Sequence, residues 1–380
     1  MDLSPYKNCL AHSNSVYVSN ENKPYKPCCW FKTGIDASSP EEYKKTLESL
    51  DIEYNCSHCI KQESAGATWS HRQLFNNPKE FVLGICFDNI CNLKCVTCSP
   101  THTSQLIQEW EILGKLNGDH DKRYFTRLSK QAPSKLEFIK QTLEQTDFEL
   151  LKLEIFGGEP LINPKVFEFI DWVAKQPFAN NTTLTITTNA TVYTDKIESY
   201  INSFRLVAIQ LSVDGIDEMF EYLRFGAGFK AASQVIDQYY ALLSEYNNFT
   251  LGFNFTLSWM NSLHFIDFYN WAASNYPYIH LHLTKLEGPP MYSVEIIPST
   301  LKKEILLAVK NKCISPPTEQ FEKLLHLYSE AMQFSHSNAT VENFNAAISS
   351  LNKLENIRLN NLGSLSNMVE LLYDSFGKSI

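Results

Sequence analysis

The chain has no run of lysine and arginine, and that absence removes a first class of partners. With 33 basic residues against 42 acidic ones, its formal net charge is −9. A surface built to neutralise phosphates is normally basic, so a nucleic-acid partner is not expected. The start, Met1-Asp2-Leu3-Ser4-Pro5, lacks the basic residues and apolar stretch of a signal peptide. No apolar run approaches the roughly 20 residues that a bilayer crossing takes. Internal repeats and low-complexity linkers are missing as well. These absences lead to the expectation of a cytoplasmic protein with no membrane partner. What is present suits a globular chain: 44% apolar and 13% aromatic residues can fill a sizeable core. A length of 380 residues suggests two or three domains.

Cysteine is almost absent from the C-terminal part. Only Cys313 lies beyond residue 98, whereas nine of the ten cysteines precede that point. In a reducing compartment clustered cysteines are more often metal ligands than disulfides, so any metal chemistry belongs to the N-terminal end.

Residues 1–78 are turn-rich, offer little apolar periodicity and carry the pairs Cys28-Cys29 and Cys56-x-x-Cys59. They read as a small metal-stapled unit. From Phe81 short β-rich runs alternate with helical stretches. The strands expected are Phe81–Phe87, Leu151–Phe156, Thr182–Thr187, Leu206–Val213, Thr250–Thr256 and Ile279–Thr284. Amphipathic segments such as Pro164–Lys175, Phe229–Tyr246 and Leu263–Ser274 lie between them. Such alternation argues for βαβ units and a parallel sheet. Six units fall short of a closed eight-stranded barrel, which leaves a partial barrel or an open α/β sheet. From Pro298 onward only helices are expected, including Thr300–Lys312, Thr318–Phe334 and Val341–Leu354.

The segment Cys91-Asn-Leu-Lys-Cys95-Val-Thr-Cys98 follows the first of these strands directly. Loops at the C-terminal ends of parallel strands are where α/β barrels place their active sites. Three thiolates on one short loop can hold three irons of a cubane and leave the fourth open. A structural zinc ion is the other reading, with His102 as fourth ligand.

Further motifs follow in order at the ends of later strands: Gly157-Gly158-Glu159-Pro160, Thr188-Asn189-Ala190-Thr191 and Ser212-Val213-Asp214-Gly215, then Arg224 in Tyr-Leu-Arg-Phe-Gly. Each alone is ordinary turn chemistry. Together with Cys-x3-Cys-x2-Cys they resemble the radical SAM superfamily. The resemblance implies a partial (β/α)6 barrel, with Cys91, Cys95 and Cys98 holding a [4Fe–4S] cluster that binds S-adenosylmethionine (SAM). It also implies that Gly157, Gly158, Glu159 and Pro160 meet the methionyl amino group. Thr188, Asn189, Ser212 and Asp214 would meet the ribose and carboxylate, and Arg224 the carboxylate. The chemistry implied is reductive cleavage of SAM to a 5′-deoxyadenosyl radical that abstracts a substrate hydrogen, with the electron supplied by a reductase, flavodoxin or ferredoxin.

Cys9, Cys28, Cys56 and Cys59 form a second set whose order resembles the twitch or SPASM auxiliary-cluster units of that superfamily. Here the unit precedes the barrel instead of following it. The stretch from Cys59 through Glu63 to Gly66, then Ser70-His-Arg72 and Asn76, is similar to the twitch type, as is Gly288-Pro289-Pro290 leading to Ile297-Pro298. The resemblance implies a second [4Fe–4S] cluster on those four cysteines. The same four thiolates would also satisfy a zinc knuckle, and the residues do not choose physically between Cys28 and Cys29. Glu63 and Arg72 are expected to brace the unit.

The domain organisation expected is 1–78 for the auxiliary unit, 79–298 for the barrel and 299–380 for a helical extension. Auxiliary-cluster members frequently act on ribosomally made peptides, so the resemblance points to a peptide or peptide-like substrate. The alternatives are the same radical chemistry on a small metabolite (a sugar, nucleotide or amino acid), or a non-catalytic metal-binding or electron-transfer protein. Cys86, late in the first strand, is a candidate hydrogen donor if its face lines the barrel, and a small core residue if not.

Overall fold

The computed structural model describes residues 3–64, 70–128, 132–286, 288–314, 316, 318–334, 339–358 and 365–377. Its strands are β1 (Ser15–Val18), β2 (Tyr25–Lys26), β3 (Glu80–Cys86), β4 (Leu150–Phe156), β5 (Thr182–Thr188), β6 (Leu206–Ser212), β7 (Phe249–Leu257) and β8 (His280–Lys285). They form one mostly parallel sheet in the order β2-β1-β3-β4-β5-β6-β7-β8. This is a partial barrel, and the six strands expected from the sequence are β3 to β8, each within one or two residues of its expected ends. The chain divides into two compact units. The first comprises Met1–Ile90, Arg123–Thr187 and Thr194–Ala208; the second comprises Cys91–Lys122, Thr188–Tyr193 and Ile209–Ile380.

In the first unit the sequence dictates β4 by alternation. Leu151, Leu153 and Ile155 are buried, while Lys152, Glu154 and Phe156 on the other face are half-buried. β3 pairs in parallel with β4 so that Gly84 faces Glu154 and Cys86 faces Phe156. The segment 1–78, read as self-contained, contributes two strands to this sheet. β1 lies parallel to β3 with Tyr17 opposite Gly84, and β2 turns back antiparallel to β1. A four-residue strand such as Ser-Val-Tyr-Val is too short for its period to show in a sequence. Gly84 admits the Tyr17 ring, which a Cβ would strike, and the Tyr17 hydroxyl donates to Glu154 Oε2 at 2.7 Å. The helix Pro164–Val173 starts where the sequence puts a cap and a proline together. Asn163 accepts from the Lys165 N–H at 3.0 Å, and Pro164 needs no hydrogen-bond acceptor in the first turn.

In the second unit β7 and β8 pair in parallel, and Phe253, Phe255 and Trp259 are buried. They pack among the rings of Phe265 and Phe268 from the helix Phe265–Asn275 and of Phe344. This aromatic stretch is core. The C-terminal residues form the helices Ser299–Lys312, Glu319–Phe334, Val341–Arg358 and Ser366–Gly377. Leu301, Ile305 and Val309 recur every fourth position and are buried, the pattern of one helix face turned inward. No helix among the described residues is long and apolar enough to cross a membrane.

Candidate metal and cofactor site

Cys91, Cys95 and Cys98 stand on the loop that opens the second unit. Its backbone is tied down between the first and the last of these cysteines. Lys94 N–H donates to the Phe225 carbonyl at 2.9 Å, and Val96 N–H to that of Leu223 at 2.8 Å. The Thr103 hydroxyl closes the loop on the Leu93 carbonyl at 2.9 Å. The expected Asn189 sits beside the first thiol: its Nδ2 lies 3.8 Å from Cys91 Sγ and donates to Asn92 Oδ1 at 2.8 Å. Asn189 Oδ1 accepts from both the N–H and the hydroxyl of Thr191, bridging Ala190, whose φ of 63° is left-handed. That backbone is strained for a residue with a side chain, and strain of this kind concentrates at functional sites.

Arg224 and Asp214 form one buried pair, with Nη2 to Oδ2 at 2.7 Å and side chains 9% and 7% exposed. Asp214 Oδ1 also accepts from the Thr256 N–H at 2.9 Å, so both carboxylate oxygens are engaged. The carboxylate therefore orients the guanidinium. Arg224 Nε is buried and without a partner among the described residues, an orphaned donor of the kind a bound group satisfies. Burial pushes the Cys95 thiol up to about 11, and the Arg224 and Arg358 charges oppose that rise. Burial also raises Cys98 strongly. Left free, these thiols are protonated at neutral pH; iron would take them as thiolates with release of the protons. The donor set fits the cluster that the loop implies. Thr188 closes β5, buried, and Ser212 closes β6, half-buried.

The turn Gly157–Pro160 belongs to the first unit. Gly157 and Gly158 have φ of 80° and 56°, and both are packed against protein. A Cβ on Gly157 would strike Cys86 Sγ, and one on Gly158 the Ile90 carbonyl. The sequence suggested that the glycines admit a ligand; within this unit they admit strand β3 and the residue before Cys91. Glu159 caps the turn, its N–H donating to Ile90 O at 2.7 Å and its carboxylate accepting from Leu161 N–H at 3.0 Å. Asp88 and Asn163, which sequence reasoning missed, lock the same corner by a 2.8 Å hydrogen bond. Cys86 is 2% exposed, and burial pushes its thiol up to about 12.

Also in the first unit, Cys9, Cys28, Cys56 and Cys59 line one small cavity, walled further by Tyr6, His12, Trp30, Phe31, His58 and Phe75. Three stretches distant in sequence thus bring four cysteines to the lining of one apolar space, and burial raises the thiols of all four. Cys29 does not line that cavity; its Sγ lies 3.3 Å from His71 Nε2. Among the described residues no three His, Cys, Asp or Glu side chains close on a point fit for one metal ion. Glu63 braces the wall of the cavity, accepting from Tyr6 at 2.9 Å, from Arg72 Nε at 2.7 Å and Nη2 at 3.1 Å, and from Ser70. Gly66 of the twitch-like stretch lies outside the described residues.

Residues 85–265 match the model of the radical SAM superfamily. That stretch spans the cysteine loop, every strand-end motif described above and Arg224. No curated protein is significantly similar to the chain in sequence. Among solved structures, the chain is similar at 16% identity to native anSMEcpe with bound AdoMet and a Cp18Cys peptide, covering 70% of this chain and 68% of that one with a TM-score of 0.38. It is similar at 14% identity to Streptococcus suis SuiB bound to S-adenosylmethionine, covering 76% of this chain and 52% of that one with a TM-score of 0.36. A third likeness, at 14% identity and a TM-score of 0.34, is to TYW1 with a lysine-pyruvate adduct, covering 73% and 91%.

Proposed function

We propose that this chain cleaves S-adenosylmethionine reductively at a [4Fe–4S] cluster held by Cys91, Cys95 and Cys98, and abstracts hydrogen from a peptide or peptide-like substrate. The observation that carries the reading is the company those thiols keep on one tied-down loop of a radical SAM domain. Asn189 stands at Cys91, and the charge of Arg224, held by Asp214, acts on Cys95. Three thiolates leave one iron without a protein ligand, and the bound cluster supplies the electron that splits the sulfonium. The chain's own residues orient and shield. In this reading Arg224 presents its remaining donors to the SAM carboxylate, a bidentate task suited to guanidinium. Gly157, Gly158, Glu159 and Pro160 serve the methionyl end, and Thr188, Asn189, Ser212 and Asp214 the ribose and carboxylate.

Cys9, Cys28, Cys56 and Cys59 would hold a second [4Fe–4S] cluster with full protein coordination, suited to electron transfer or structure. The peptide reading rests on this second set, through its resemblance to auxiliary-cluster enzymes; a small metabolite is the alternative. In this organisation residues 1–78 carry the auxiliary unit, 79–298 the barrel and 299–380 the helical extension. The electron comes from a reductase, flavodoxin or ferredoxin.

Anaerobic reconstitution with iron and sulfide, followed by dithionite and SAM, tests the reading. The expected result is 5′-deoxyadenosine, abolished by Cys95→Ala, with about eight irons per chain. About four irons would remove the second cluster, and bound zinc without charge-transfer absorbance would remove the whole reading.

A further inference from the structure

Resting on that reading, we propose that Arg358, the last residue of the C-terminal helix Val341–Arg358, is a positioning residue of the cluster loop. It fixes the backbone of residues 93–98 and keeps a positive charge beside the cluster.

From there the guanidinium grips the loop's supports on two sides. On one side it holds Glu109, in the helix Ile107–Ile112, with Nη2 to Oε2 at 2.7 Å and Nε to both oxygens at 3.2 Å. Both side chains are only 3% exposed. The same carboxylate takes Lys94 Nζ at 3.3 Å, and Lys94 lies between Cys91 and Cys95. On the other side the guanidinium lies 4.7 Å from the centre of the Phe225 ring, and Phe225 O accepts from Lys94 N–H. One turn back on the helix, Glu355 accepts from the Tyr222 hydroxyl at 3.2 Å, steadying the segment whose Leu223 carbonyl takes Val96 N–H.

Arg358, Lys94 and Glu109 together carry one net positive charge, whereas Arg224 and Asp214 cancel. Arg358 is one of the two cations of this group, so its loss leaves less positive charge to meet buried thiolates and an added electron. A bidentate arginine between a carboxylate and a ring cannot be replaced by a shorter neutral group without loosening both supports.

Arg358→Gln, Arg358→Lys and the double variant Glu109→Gln/Arg358→Met, each in the full chain, test this at two levels. Without metal, amide exchange at Lys94 and Val96 should rise about tenfold or more in Arg358→Gln, because the acceptor segment opens more readily. After reconstitution, the loop cluster should need a more negative potential for half-reduction, and the Arg358→Lys variant should return toward wild type. The double variant removes one charge of each sign and is expected to melt like wild type; it should keep the wild-type midpoint while both amides still exchange faster, because the link from the helix to the loop is gone. Wild-type exchange at both amides, or a wild-type midpoint in Arg358→Gln, overturns the proposal. A wild-type chain that holds no iron would instead overturn the proposed function, while the exchange measurement still decides the role of Arg358.

Discussion

Gly157 lies so close to Cys86 that a Cβ on the glycine would occupy the space of the sulfur, and its φ of 80° already excludes most side chains. The turn after β4 and the end of β3 are thereby fitted to one another. Gly157→Ala is expected to destabilise the protein by about 1–3 kcal/mol through backbone strain alone, with the clash in addition. Removing the sulfur with Cys86→Ala should recover part of the loss. Urea denaturation of the four proteins in the cycle measures this, and strictly additive effects would contradict the contact.

The Arg224–Asp214 pair makes a second expectation. Asp214→Ala leaves the guanidinium buried without its counter-charge and removes the acceptor of Thr256 N–H. A loss of about 3–5 kcal/mol follows, while Asp214→Leu/Arg224→Met should lie closer to wild type. A small effect of the single substitution would mean that water reaches the guanidinium.

Cys28 lines the four-thiol cavity and Cys29 turns to His71. Cys28→Ser should therefore lower the iron of the reconstituted chain from about eight to about four, whereas Cys29→Ser should leave it unchanged. The reverse result would exchange their roles.

Lys135 is buried, donates to the Ser19 carbonyl at 2.6 Å, and burial brings its ammonium down to about 8. Between this value and the ordinary lysine range, the unfolded chain holds a proton that the folded one has released. The contribution of Lys135 to stability therefore rises with pH through that window. Comparing wild type with Lys135→Met at about pH 7.5 and about pH 9.5 isolates the term: wild type should gain relative to the variant. A constant difference would show that the ammonium stays solvated.

The two cysteine sets differ in how much of them a sequence reveals. Cys91, Cys95 and Cys98 are local, so their spacing carries the chemistry. The strands β3 to β8 were legible for the same reason, since β-rich runs of six or more residues, continuous as in β3 or alternating as in β4, survive without tertiary context. β1 and β2 were not, because four residues and two residues carry too little pattern. Glu159 also ties its own turn through Leu161 N–H and Ile90 O, hydrogen bonds that the spacing of the motif does not reveal.

The sequence by itself determined which thiols belong to the short loop and the order of strands and helices in the barrel. Spacing and periodicity are properties of neighbouring residues. Only the tertiary structure decided that Cys28 and not Cys29 joins Cys9, Cys56 and Cys59, and that Asp214 is engaged by Arg224. It also brought Arg358 to Glu109 across 249 positions of chain. Such pairings depend on which buried charge or thiol finds a partner once the core has closed, and no local pattern encodes that choice.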